Sequence, residues 1–214
     1  PWKDRVKTAV FRGNSTGPGT TVENNQRLLL AKLAQDWNQN VRFKENNKLD
    51  GVRFLDAGVV DFNMRDRKLA GEPMTYIKPD EVGVDLVDRI PMYMQSHYKY
   101  QIYMDGHCAA MRYASMMPLG SVILKIASVT KAQDMWFFPL LVPFDIRTHG
   151  PPNADHIPVA ADLSDLDRVI LYCKNHDHIC CRIAENAKEL HKAIAGRSAL
   201  VSYTRLLLRE VALR

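Results

Sequence analysis

The sequence lacks any apolar run near the ~20 residues that a membrane-spanning helix needs. It does not open on the basic, apolar and small-residue pattern of a secretory leader either. Its first residue is Pro1 rather than Met. The expectation is therefore that an N-terminal piece was removed, so the missing leader says little about compartment. Cysteine is scarce: Cys108, Cys173, Cys180 and Cys181 are the only four among 214 residues. The adjacent Cys180 and Cys181 fit no secreted disulfide framework, and spacing does not choose among the three possible full pairings. Internal repeats and low-complexity tracts are missing, which excludes repeat arrays and disordered tails. No Gly-Lys-Ser/Thr closes a glycine-rich loop, so the chain is not a P-loop protein, and it carries no dinucleotide fingerprint.

What is present is an ordinary globular composition, 46% hydrophobic and 25% charged, enough to bury a core without staples. The net charge of +5 suits an anionic ligand. The densest basic cluster, Arg65-Asp66-Arg67-Lys68, is interrupted by an acid and reads as a solvated loop, not a nucleic-acid footprint. Thr8–Arg12, Val52–Val60, Tyr98–Asp105, Ser121–Ile126 and His156–Val159 read as strands. Helices are expected from a Thr20-x-x-Glu23 capping box through Trp37, at 109–117, at 133–141, from a Ser164 cap through Lys174, at about 177–195, and at 197–213. Residues 61–95, broken by Pro73, Pro79 and Pro91, have no clear pattern. Strands alternating with helices imply an α/β fold with a mainly parallel, Rossmann-like sheet over the whole of 1–214. In such sheets ligands sit at the carboxyl ends of strands.

Three segments fall at such ends. In Phe11-Arg12-Gly13-Asn14-Ser15-Thr16-Gly17 a strand runs into a small, polar loop and then a helix start. Backbone N–H groups and the helix dipole favour a phosphate there, with hydroxyls from Ser15 and Thr16 and a charged fork from Arg12. The strand at 98–105 ends in Asp105-Gly106, with Arg112 in the next helix. Trp136-Phe137-Phe138-Pro139 is followed by His156-Ile157-Pro158-Val159 and Asp162-Leu163-Ser164-Asp165-Leu166. A plain strand-to-helix turn or an exposed arginine would explain each segment taken singly.

In this order, these segments resemble glycosyltransferase family ninety, which includes the Rumi-type protein O-glucosyl- and O-xylosyltransferases and capsule-associated enzymes. The residues that carry the resemblance are Phe11-Arg12-Gly13, Tyr98-Lys99-Tyr100 with Asp105-Gly106, Arg112, Gly120-Ser121-Val122 with Leu124-Lys125, Trp136-Phe137, and the stretch from His156 to Leu166, over roughly 9–190. The resemblance implies the nucleotide-binding half of a GT-B architecture, a UDP-sugar donor, a glycan or protein acceptor, inversion at the anomeric carbon, and no bound metal or further cofactor. It nominates Arg12, Gly13, Ser15, Thr16, Gly17 and Arg112 for the diphosphate, with Asp105, Trp136 and Phe137 nearer the nucleotide. The family's catalytic carboxylate belongs to the other half, ahead of the Phe-Arg-Gly loop. Only Asp4 is acidic among the ten residues there, so the base is expected outside this chain. The C-terminal helices, about 177–213, would pack across to the acceptor half. Asp145 to Asp155 looks like an insertion.

Asp165-Leu166-Asp167 matches a metal-binding Asp-x-Asp but falls in a helix's first turn, where acids suit the dipole. His176, His178, Cys180 and Cys181 divide between two helix faces and make no four-ligand zinc site. A nucleotide-binding module without transfer remains the alternative to an enzyme. Family membership suggests the endoplasmic reticulum or Golgi lumen. Asn14-Ser15-Thr16, however, is a glycosylation sequon inside the expected phosphate loop, where a glycan would block the site. That leans the expectation towards a non-luminal protein.

Overall fold

The computed structural model describes residues 1–39, 53–67, 73–108, 110–129 and 135–212. Val52, Ala109, Gln133, Asp134 and Leu213 of the expected elements, and Lys68 of the basic cluster, lie outside the described residues. Among the described residues five strands form one sheet: β1 (Val6–Gly13), β2 (Leu55–Val59), β3 (Tyr98–Tyr103), β4 (Val122–Ile126) and β5 (His156–Val159). Their order is β2-β1-β3-β4-β5 and every pairing is parallel. Ala9 pairs with Tyr100 and Val10 with Gln101, so the first and third expected strands share the sheet as foreseen. β3 ends two residues early, which frees Met104 and Asp105 from the ladder.

This order has a functional consequence. From β1 the chain moves to β2 on one side, then crosses back to β3 on the other. The crevice at the carboxyl ends of β1 and β3 is thus the topological switch point, the place where doubly wound sheets bind ligands.

Both faces of the sheet are covered, which is why its strands read as continuous apolar runs. On one face Phe11, Tyr100, Ile102, Val122, Leu124 and Ile157 pack with Leu30 and Ala34 of α1 (Gln26–Gln39). Val169 and Ile170 of α3 (Leu166–Asn175) and Ile179 and Ile183 of α4 (Asp177–Ile194) complete that cluster. On the other face Tyr103 and Ile123 pack with Tyr113 and Met116 of α2 (Arg112–Met116), Met117 and Phe137.

Several boundaries differ from expectation for local reasons. Thr20 to Glu23 forms a turn, and the cap is Asn25, whose Oδ1 accepts the N–H groups of Arg27 (3.0 Å) and Leu28 (3.3 Å). An Asn there satisfies two of the orphan amides of the first helical turn. Ser164 does not cap α3; its hydroxyl donates to Asp162 at 2.7 Å. In place of a helix at 133–141, the described part is a single 3-10 turn, Phe138–Leu140, with Pro139 inside it.

At the amino end of the sheet, Lys99 of β3 is 2% exposed and pairs with Asp177 at 2.6 Å. Trp2 donates its indole N–H to the same carboxylate (3.0 Å) and lies under the Lys99 ammonium, 5.0 Å from ring centroid to Nζ. The cluster fastens the chain start and the head of α4 to the central strand. Lys99 is buried while the Asp177 carboxylate is half-exposed, so taking away Asp177 strands a buried cation. Asp177→Ala is therefore expected to cost roughly 3 kcal/mol in urea unfolding, with Lys99→Met in the same background restoring most of it. A loss below about 1 kcal/mol, the range of an exposed pair, would contradict Asp177 as the partner on which the buried Lys99 depends.

Candidate functional site

The site is built on the switch point from β1, β3 and the start of α1. Arg27 shares a helix face with Leu30, Ala31 and Ala34, the face that enters the core, so its side chain is carried inward. It is 5% exposed. Its guanidinium donates to the carbonyls of Asn14 (2.9 Å), Asp105 (2.9 Å) and Met104 (3.3 Å). One side chain thereby joins the loop after β1 to the loop after β3.

Arg112, the first residue of α2, comes to the same point. Its Nη1 donates to the Arg12 carbonyl at 2.6 Å. Both guanidiniums lie against the Phe11 ring, at 5.6 Å for Arg27 and 5.5 Å for Arg112. Between them is Gly13: a Cβ there would stand 3.0 Å from Phe11 Cζ, 3.2 Å from Arg112 Nη2 and 3.3 Å from Arg27 Nη1. A side chain there would press the ring and both guanidiniums back by a few tenths of an ångström. Gly106 is similarly constrained, since a Cβ would meet the Thr16 hydroxyl at 2.7 Å.

These two arginines donate only to carbonyls in this network, and no carboxylate forms a salt bridge with either among the described residues. Burial, and then the charge of Arg112, push the Arg27 pKa down to about 9; Asp105 partly offsets them. Burial likewise lowers Arg112. Guanidiniums stay protonated in proteins, so these shifts record mainly the cost of burying each cation, with a smaller repulsion of Arg112 on Arg27. An anion lodged between them relieves it. Asp105 is turned aside by Tyr103, whose hydroxyl donates to it at 2.9 Å and accepts the Ala110 amide at 2.9 Å. Burial and the Asp105 charge push the Tyr103 phenol well up, so it remains a donor.

The nominated residues separate into those at this point and those turned away. Thr16, Gly17 and Asp105 border a small hollow beside Arg27, and Gly13 and Arg112 meet Arg27 at the Phe11 ring. Thr16, Gly17, Asp105, Gly106 and Arg27 line the hollow with Pro18, Gln26 and Val129. It adjoins a cleft of about 450 Å³ that shares Pro18, Gln26 and Val129 and continues to Leu29, Ala161 and Asp162. Gln26 spans that cleft's floor, donating to the carbonyls of Ala127 (2.9 Å) and Ala161 (2.7 Å).

Arg12 is brought to the right strand end but faces sideways. Its guanidinium pairs with Asp56 at 2.6 Å and donates to the Asp56 and Asp88 carbonyls. It contributes its backbone carbonyl to Arg112 and braces β1 against β2. Ser15 is fully buried, with its Oγ accepting the Asn63 amide at 2.9 Å, so its hydroxyl faces the interior. Phe137 is 1% exposed within the Tyr103–Tyr113 cluster and is a core residue. Trp136 is 64% exposed and stacks at 6.4 Å on Tyr203 of α5 (Arg197–Ala212).

Arg27, Arg67 and His107 were missed in the sequence. Arg27 had a legible signal: a charged residue opening an apolar stripe at i, i+3, i+4 and i+7 is either an error of pattern or a buried functional cation. Arg67, expected in a solvated loop, is instead 4% exposed; like His107 it sits in a loop, where no periodicity marks a buried residue.

His107 is hydrogen-bonded to the Gly17 backbone, and burial together with Arg67, Arg65 and Arg27 pushes its pKa below the ordinary 6.5. Below that pH the unfolded chain takes up the proton first. The fold accordingly loses a little stability as pH falls from about 6.5 through the depressed folded value. An anion beside these arginines should lift the His107 pKa and reduce that loss. NMR titration of the His107 ring with and without pyrophosphate reads this directly. A His107 curve that pyrophosphate leaves in place would contradict an anion site here.

A comparison with known families matches residues 1–213 to Glycosyl transferase family 90. Uncharacterized protein 179R of Invertebrate iridescent virus 6 is 33% identical over 224 residues, covering all of this chain and 17% of that protein. Human protein O-glucosyltransferase 1 is 25% identical over 213 residues, covering 98% of this chain and 43% of that protein. The chain thus spans less than half the length of either relative. Among solved structures, Anabaena Alr3699/HepE in complex with UDP aligns over all of this chain and 50% of that one, with 10% identity and a TM-score of 0.45. On the family match along residues 1–213, this chain belongs to glycosyltransferase family 90.

Proposed function

We propose that this chain holds the UDP-sugar donor of an inverting glycosyltransferase, with the diphosphate between Arg27 and Arg112 and the rest of the donor in the adjoining cleft. The observation that carries this reading is the pair of carboxylate-free guanidiniums meeting at Gly13 on the switch point. Family membership supplies the reaction class. The resemblance to protein O-glucosyl- and O-xylosyltransferases makes glucose or xylose the sugar and a protein or glycan hydroxyl the acceptor.

In the transfer, the bond from the anomeric carbon to the diphosphate oxygen breaks, and its electron pair stays on the diphosphate. Two fixed guanidiniums stabilise that charge, a role a metal fills in other transferases. The acceptor oxygen bonds to the opposite face of the anomeric carbon, and its proton goes to a general base. Asp4 is not that base: it precedes β1, whose eight residues span roughly 25 Å, so it lies at the far edge of the sheet from the site. The base is assigned to the acceptor half, against which the exposed apolar residues of α5, Leu200, Leu207 and Val211 among them, would pack.

Calorimetry with UDP tests the site. Arg112→Ala is expected to weaken UDP binding roughly tenfold to a hundredfold while the fold survives, because a charged hydrogen bond contributes roughly 1.5–3 kcal/mol. Arg112→Lys should recover part of the loss, since an ammonium cannot form the bidentate fork. Arg12→Ala should lower the unfolding temperature through Asp56 and leave UDP affinity within about threefold. EDTA should change nothing. Unaltered UDP binding by Arg112→Ala, or its collapse in EDTA, would refute the site.

A further inference from the structure

Arg67 has no part in the donor site as drawn, yet it is buried directly behind it. It is 4% exposed and forms no salt bridge among the described residues. One nitrogen, Nη2, does all its bonding, donating to the carbonyls of Ser15 (2.9 Å) and Asn63 (3.0 Å). The buried Nε and Nη1 have no hydrogen-bond partner. A desolvated cation with two idle donors is worse for stability than an apolar side chain of the same shape. Its backbone, by contrast, is well held, exchanging two hydrogen bonds with Thr75 (2.6 and 2.8 Å).

What Arg67 grips is the middle of the Gly13–Gly17 loop. Ser15 turns every polar group inward. Its N–H donates to the Asp61 carbonyl (3.1 Å), its Oγ accepts the Asn63 amide, and its carbonyl accepts Asn25 Nδ2 (3.2 Å) as well as Arg67. Asn25 is also the cap that starts α1, two residues before Arg27. Arg67, Ser15, Asn25 and Arg27 therefore form one connected chain behind the hollow, and Arg67 is its only charged member away from the ligand side.

We propose that Arg67 is a positioning residue for the donor site: it fixes the Ser15 carbonyl, and so the direction in which Thr16, Gly17 and Arg27 face the diphosphate. Its place is held at a cost in stability, as is common for residues kept for function. The inference rests on the donor-site reading for its ligand arm, but its effect on the loop is measurable without any ligand.

The experiment compares the parent with Arg67→Met and Arg67→Lys by thermal unfolding, amide hydrogen exchange and UDP calorimetry. Arg67→Met is expected to melt no lower than the parent. The Ser15 and Thr16 amides should exchange roughly tenfold faster while those of β3 do not change. UDP affinity should fall roughly tenfold. Arg67→Lys keeps one donor for Ser15 and should restore most of the protection and affinity.

Loop exchange in Arg67→Met that matches the parent's overturns the proposal. So does a failure of that variant to fold, or a melting temperature lower by more than about 5 °C, because Arg67 would then be an ordinary stabilising residue. A lysine variant as defective as the methionine one also overturns it. If the parent itself does not bind UDP, the donor-site reading fails, and the exchange comparison still decides the role of Arg67.

Discussion

The burial of Arg27 beneath the crossing of two loops is the constraint on which the site depends. Its guanidinium donates to carbonyls that follow β1 and carbonyls that follow β3, so it sets how far apart those strand ends stand. Phe11 supplies the flat apolar surface on which Arg27 and Arg112 both rest, and Gly13 supplies the absence of a side chain between them. The arrangement is electrostatically incomplete as it stands: two desolvated like charges share one ring with a single nearby acid, Asp105, already engaged by Tyr103. A ligand carrying two or more negative charges completes it.

The topology explains why the incompleteness lies here. The chain reverses its direction of travel across the sheet between β1 and β3, so neither loop is covered by the connection of the other. The opposite edge has the contrary character. There Lys99, Asp177 and Trp2 form a closed cluster in which the buried cation has both a carboxylate and a ring. One end of β3 is thus neutralised and structural, while the other is left cationic and open.

Much of this was legible in the sequence, for identifiable reasons. Parallel strands buried on both faces give apolar runs such as Val122–Ile126, and these mark the sheet with little ambiguity. The polar loop at Gly13–Gly17 and the Asp105-Gly106 turn mark the strand ends. Side-chain direction was not legible. A strand alternates faces, so Phe11 enters the core beneath the site while the next residue, Arg12, goes to Asp56. That alternation is visible in sequence, but which face holds the ligand is not. Ser15 and Phe137 illustrate the same limit, since a serine hydroxyl or an aromatic ring serves a core as readily as a ligand. Arg67 was unreadable because Ser15, the partner that ties it to the site, meets it only through the fold.

The central claim is that the two guanidiniums at the switch point are completed by a diphosphate, and a crystal structure with UDP bound tests it most directly. The account predicts phosphate oxygens within hydrogen-bond reach of both Arg27 and Arg112, with the nucleoside running towards Gln26, Val129 and Ala161. UDP seated in the separate cleft of about 340 Å³ lined by Thr20, Tyr76, Lys78 and Glu81, with the space between Arg27 and Arg112 unchanged, would contradict it.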